Sequence, residues 1–270
     1  MKIIDSHLHF CETEQYFFDI AKLSCHENSA AHLLSEYNRL NIVTGVVMGN
    51  GALDKLADYP SPLYYCAGIE SFASFKANTE NYLKNIEKHL KNAKCVGIKL
   101  YPGYEAFYVY DDALAPLYNL AAKYKKPVAV HTGLTASGNA VLKYAHPLVI
   151  DEAAAKFPNN AFVMCHLGEP WFADAVAVVT KNANVTADLS GMLEGKIKDF
   201  DKFFSDQKYY MDELSGRLKM SNIYDKIMFG TDWPLANLED YIVFTKKIIS
   251  EDFWNLVFFD NAKRIYKLLR

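Results

Sequence analysis

Eight short apolar runs punctuate the chain, at residues 2–8, 43–48, 64–69, 95–100, 127–131, 161–166, 184–189 and 226–231. Most are rich in Val, Ile, Phe or Tyr and end in turn or polar residues, as strands buried on both faces of a parallel sheet do. Between them the apolar period lengthens to that of a helix. Leu33, Leu34, Tyr37 and Leu40 share a face behind a capping Ser29; Tyr82, Leu83, Ile86 and Leu90 share another behind Asn78 or Thr79. Leu114, Leu117, Leu120 and Ala121 mark a third helix, and Asp151 is expected to cap a fourth running to Phe157. Segments 175–181, 198–204 or beyond, 238–249 and 261–269 continue the alternation. Strand–helix units repeated eight times predict an α/β chain folded as a (β/α)8 TIM barrel, one domain over residues 1–270. An open doubly wound sheet is the rival, but no Gly-rich phosphate turn follows the first run.

Three connections are longer than a plain barrel needs: 10–28, 101–111 and 132–150. Each follows the C-terminal end of a predicted strand, the face on which barrel enzymes build their sites. The second, YPGYEAFYVYD, is strongly aromatic and is expected to act as a packed lid over a pocket, with a hydrophobic plug as the alternative; Tyr101 and Tyr104 are candidate substrate contacts.

Composition narrows the function classes. With 270 residues, 51% of them hydrophobic, the chain can bury a large core. A net charge of −3 without a long run of either sign excludes a nucleic-acid or anionic-membrane partner, and no apolar run is long enough to span a bilayer. The first strand begins at once, so no signal peptide is expected. Cys11, Cys25, Cys66, Cys95 and Cys165 are scattered and form no C-x-x-C, which predicts a reduced, cytoplasmic protein. The expected partner is a small-molecule substrate, and an expected aromatic-rich surface hints at a homodimer.

The candidate chemistry lies at the strand ends. In MKIIDSHLHF, strand alternation is expected to set Asp5, His7 and His9 on one side, and two imidazoles projecting into one space suit a single metal ion. An isolated H-x-H reads equally well as a polar edge strand. Here it is joined by Lys99 in GIKLYP, His131 in VAVHTG, His166 in VMCHLGEPW and Asp232 in IMFGTDWP. Each interrupts an apolar run, where an unpaired polar group is costly to bury. Six such residues at one barrel end point to a site.

These motifs resemble the amidohydrolase superfamily, in particular its family-2 branch that includes aminocarboxymuconate-semialdehyde decarboxylase. The resemblance runs from DSHLH at 5–9 through VHTG, CHLG and FGTDWP to NAKRIYKLL at 261–269. It implies that His7, His9, His131 and Asp232 hold one divalent metal ion, best matched by Zn2+, with His166 binding a second metal or orienting substrate or water. Such an ion lowers the pKa of water to about 7, Asp232 would move the proton, and His166 would stabilise the oxyanion.

Lys99 is open to three outcomes. The stretch GIKLYP also resembles the strand-4 end of dihydroorotases, which would make Lys99 a carbamate bridging two metals. It can instead remain an ammonium facing a substrate carboxylate, or point outward through the helices. Asp5 is expected to support the metal site from behind, and Asp188 to hydrogen-bond a ligand histidine or cap the next turn. Trp171, after His166, is expected either to wall the pocket or to cap the core, Trp233 to pack beside its strand, and His26, His32, His89 and His146 to lie at the surface.

The reading that emerges is a metal-dependent hydrolase of an amide, lactone or ester of a small carboxylated substrate. Non-oxidative decarboxylation or hydration of an unsaturated or aromatic acid is the alternative, and a non-catalytic metal-binding barrel the third.

Overall fold

The computed structural model describes residues 1–49, 53–69 and 71–269. Its strands are β1 (Ile3–Leu8), β2 (Ile42–Met48), β3 (Tyr64–Gly68), β4 (Cys95–Leu100), β5 (Val128–Val130), β6 (Phe162–Met164), β7 (Val185–Asp188) and β8 (Ile227–Met228). They pair in sequence order, each parallel to the next. The circle closes through the residues after β8: Ser6 N donates to Phe229 O, Thr231 N to His7 O and His9 N to Trp233 O. A (β/α)8 barrel is therefore the observed architecture.

Two apolar layers follow from strand alternation. Ile4, Val46, Met48, Cys66, Val96, Ala129, Val163, Cys165 and Met228 pack together inside the barrel, against Tyr266 and Leu268 of the C-terminal segment. Ile3, Val47, Ile98, Val130, Met164, Ala187 and Ile227 belong to the layer shared with the helices.

The helices are α1 (Gln15–Leu23), α2 (Ala30–Leu40), α3 (Phe72–Ala77), α4 (Thr79–Lys91), α5 (Ala115–Tyr124), α6 (Leu148–Lys156), α7 (Phe172–Lys181), α8 (Phe200–Asp206), α9 (Lys208–Ser221), α10 (Leu238–Ile248) and α11 (Asn261–Ile265). Ser29 caps α2 as expected, accepting from His32 N. Asp151 does not cap α6: the helix starts at Leu148, placing Asp151 in its first turn, where Lys181 meets it at 2.7 Å. No described helix is long and apolar enough to cross a membrane.

The simple alternation expected in β1 fails at a register shift between Asp5 and Leu8. Ile3 lies in the helix-side layer and Ile4 inside the barrel, so an unbroken strand would send His7 and His9 outward with Ile3. The bulge puts Leu8 on the helix side, and the two histidines face the interior. Asp5 stays behind. Its carboxylate accepts from Tyr37 Oη of α2 at 2.9 Å, Thr231 N at 2.9 Å, Thr231 Oγ1 at 2.6 Å and His7 N at 3.3 Å. Asp5 thus pins β1 to the segment after β8 and bonds no imidazole.

Two expected surface histidines are buried. The ring of His89 bridges Tyr65 Oη at 3.0 Å and Leu53 O at 3.2 Å. His26 packs on Trp233, accepts from Leu238 N and pairs with His32. Burial is tolerable in each case because both ring nitrogens have partners.

Candidate metal centre and active-site cavity

A cavity of about 1080 Å3 opens over the C-terminal ends of the strands. His9, His131, His166 and Asp232 line it, with Tyr101 and Tyr104 from the long loop after β4. That loop is both lid and plug: Phe107 and Val109 are buried in the core. Tyr101 Oη donates to Met48 O and Gly49 O, and Tyr104 stacks edge-on against His131, the ring centroids 4.9 Å apart. Trp171 is absent from the lining and packs on His146, which pairs with Asp174. The expectation that Trp171 contacts substrate is corrected, because the chain turns at Gly168 and leads it toward α7; Glu169 lines the cavity instead.

His7, His9 and Asp232 form one compact donor set, their ligand atoms all within 4.8 Å of one another. Asp232 Oδ1 lies 3.4 Å from His7 Nε2 and 3.3 Å from His9 Nε2. Two donors about 2.0–2.1 Å from a tetrahedral zinc would stand about 3.3–3.4 Å apart. His131 stands outside this compact set, yet its Nε2 is buried without a hydrogen-bond partner, as are His7 Nε2 and Asp232 Oδ1. Three orphaned buried donors around one space fit a divalent cation, since unpaired burial would otherwise be costly.

The support behind the donors is specific. His7 Nδ1 lies 3.0 Å from Asp188 Oδ2, which leaves its Nε2 lone pair facing the site. Asp188 Oδ1 accepts from His166 N at 2.9 Å, Ser190 N at 3.2 Å and Ser190 Oγ, so one carboxylate performs both tasks expected of it. His166 Nδ1 is 3.1 Å from Ser190 O. A carbonyl can only accept, so the proton is assigned to Nδ1 and Nε2 is an acceptor. While the ring is neutral, Nε2 has no proton to donate and acts as an acceptor; the oxyanion role expected of His166 belongs to its protonated form.

Burial holds every imidazole here below its ordinary range, with the Lys99 charge adding to the effect. His9 falls to about 3 and His166 to about 4, while His7 and His131 are pushed well down. Neutral imidazoles are the form that binds metal. Burial pushes the Asp232 carboxyl up, against the pull of His166 and Lys99.

Lys99 faces the barrel interior, fully buried. Its Nζ donates to Cys165 Sγ at 2.9 Å and sits 5.1 Å from the Tyr101 ring centroid. The outward reading is excluded. His7, Cys165 and Asp188 form a second donor group, but its nitrogen, sulfur and carboxylate already bond to one another or to Lys99.

Sequence reasoning missed Ser190, Gly191, Glu169 and Tyr210. The LSG after Asp188 was the available signal: Gly191 has φ +70°, and a Cβ there would lie 2.8 Å from His166 Nδ1 and 3.3 Å from Asp232 Oδ2. Only a residue without a side chain lets the backbone approach this closely.

A parallel barrel that gathers imidazoles and a carboxylate at the C-terminal ends of its strands defines a class, the barrel enzymes that work with a divalent metal ion. Residues 69–268 match the family Amidohydro_2, described as amidohydrolase, and the chain belongs to that family. The first strand, with His7 and His9, lies outside the matched residues. No curated protein matches the chain. Among solved structures it is similar to an amidohydrolase from Burkholderia multivorans with bound zinc, at 15% identity over 100% of both chains with a TM-score of 0.69. It is similar to a dihydroxybenzoic acid decarboxylase from Polaromonas with bound manganese and the inhibitor 2-nitroresorcinol, at 14% identity over 100% of this chain and 98% of that one, TM-score 0.67. It is also similar to a probable 2-pyrone-4,6-dicarboxylic acid hydrolase from Acinetobacter baumannii with citric acid bound, at 17% identity over 99% and 100%, TM-score 0.64. At these identities the likeness speaks for the fold.

Proposed function

We propose that the protein is a metal-dependent hydrolase cleaving a lactone, ester or amide bond of a small molecule. His7, His9, His131 and Asp232 hold one divalent ion, with Zn2+ the best match to three nitrogens and one oxygen. The observation that carries this reading is the trio of orphaned buried donors, His7 Nε2, His131 Nε2 and Asp232 Oδ1. When bound, the ion supplies Lewis acidity, polarising the substrate carbonyl and acidifying water.

The chain's own residues do the rest. Asp232 Oδ2 takes the proton of the attacking water and returns it to the leaving group. His166 Nε2 accepts a hydrogen bond from water or substrate and fixes its direction. Burial keeps the imidazoles unprotonated, and Lys99 nearby adds to that effect. Its amine is engaged by Cys165, which favours one metal ion over a carbamate-bridged pair. The aromatic walls exclude bulk water. The five unpaired cysteines fit a reducing compartment, and we place the protein in the cytoplasm.

The test is turnover by protein reconstituted with zinc or manganese, using lactones, esters and cyclic amides on one side and dihydroxybenzoates on the other. Hydrolysis that disappears in Asp232→Asn is the expected result. Release of CO2 from the aromatic acids without hydrolysis would replace the reading with decarboxylation.

A further inference from the structure

The cavity wall carries one sign of charge. Among the described residues its lining includes Glu105, Glu169, Glu194 and Asp232, and no lysine or arginine. Glu105 is committed to the fold, since its carboxylate caps α3 at Phe72 N. Glu194 is exposed at the rim. Glu169 differs from both. It is half-buried, no hydrogen bond from the described residues reaches its carboxylate, and burial raises its pKa.

Its backbone is fixed, with N donating to His166 O at 3.0 Å and O accepting from Leu134 N at 2.9 Å. The carboxylate is therefore held three residues past an imidazole of the site. Beside it stands Tyr210 of α9, which also lines the cavity. Its ring packs on Phe172, and its Oη is buried without a partner. Phe172, on which that ring packs, lies three residues past Glu169, which brings both residues to one stretch of the wall; burial raises the phenol's pKa, and the charges of Glu169 and Glu213 add to it. A half-buried carboxylate free of protein hydrogen bonds and an orphaned phenol, both lining one cavity, are positioned for a ligand to complete.

We propose that Glu169 and Tyr210 form a specificity subsite for a part of the substrate other than the group held at the metal donors, and that it recognises an amine, ammonium or hydroxyl group. Glu169 accepts a charge-assisted hydrogen bond from that group, and Tyr210 Oη makes a second one. A substrate with a carboxylate at this subsite is rejected, because no lysine or arginine among the described lining residues offsets its repulsion from Glu169. One carboxylate at the metal end remains compatible with the site; a dicarboxylate does not. The inference rests on the metal reading above.

The test is calorimetric binding to metal-loaded protein, using benzohydroxamate as a metal-chelating anchor and its aminomethyl and carboxy derivatives at ring positions 3 and 4. The best aminomethyl compound is expected to bind about tenfold tighter than the parent and the carboxy compounds about tenfold weaker. Glu169→Gln should bring all of them within about threefold, Glu169→Lys should reverse the order, and Tyr210→Phe should reduce the aminomethyl preference. Carboxy compounds binding as tightly as aminomethyl ones to the unmodified chain would overturn the subsite alone, as would a preference unchanged in Glu169→Gln. Failure of the parent compound to bind at all would overturn the metal reading and the subsite with it.

Discussion

The ring of His7 is oriented by Asp188, whose Oδ2 lies 3.0 Å from Nδ1 at a point where both side chains are fully buried. That contact assigns the proton to Nδ1 and turns Nε2 toward His9 and Asp232. Asp188→Asn keeps the shape and loses the charge, and it is expected to weaken metal affinity about 10–100-fold while leaving the circular dichroism unchanged. Competition against a chromogenic chelator measures it. Unaltered affinity would reduce Asp188 to a support of the turn at Ser190.

Removing a donor should have a harsher effect. His131→Ala and Asp232→Ala are expected to lose most bound metal by elemental analysis, together with turnover. His89→Ala, far from the site but buried between Tyr65 and Leu53, should retain metal and lose about 1–3 kcal/mol of stability. Full metal content in His131→Ala would remove that residue from the proposed ligand set.

Gly191 sits against the site at positive φ, its absent Cβ 2.8 Å from His166 Nδ1. Gly191→Ala should cost about 1–2 kcal/mol from the left-handed backbone alone. It should also displace His166 and lower kcat more than a stability loss of that size explains. Wild-type kcat in a folded Gly191→Ala variant would show that the contact has slack.

Acid should destabilise the metal-free protein. His7, His9, His26, His89, His131 and His166 all titrate below their ordinary value of 6.5 when folded, His9 near about 3 and His26 and His166 near about 4. Below 6.5 the unfolded chain takes up these protons and the folded chain does not, so stability falls as pH drops from 6.5 toward 4. Asp5, raised to about 7, and Asp232 and Glu169, also raised, act in the opposite direction, three groups against six. Each net proton is worth about 1.4 kcal/mol per pH unit. Urea unfolding of chelator-treated protein at several pH values reads the slope, and a flat profile between 6.5 and 4.5 would contradict the neutral, buried state of the imidazoles.

The eight strands were legible in the sequence because a strand buried on both faces must be a continuous apolar run, and the runs recur at barrel spacing. His7, His9, Lys99, His131, His166 and Asp232 were legible for a related reason: each lies at or just past the end of an apolar run, where a histidine, lysine or aspartate stands out. The aromatic-rich surface was misjudged, because counting aromatic residues does not say where they point; among the described residues only Tyr16, Tyr104 and Tyr209 are exposed aromatics, and the first two line the cavity. Local pattern also misjudged His26 and His89, since a histidine on a polar-looking segment is buried or exposed according to what packs over it. Side-chain facing at β1 lay beyond pattern altogether. Strict alternation groups Asp5 with His7 and His9, and only the bulge, held by bonds from Asp5 to Thr231 and Tyr37, separates them. Glu169 and Tyr210, forty-one residues apart, line one cavity only once α9 packs against α7. The sequence alone determined which residues would be buried in strands and which polar groups would interrupt them, because hydrophobic periodicity is a local property. The tertiary structure decided which of those groups face one another and which remain without a partner, because that depends on register, bulges and packing between segments remote in the chain.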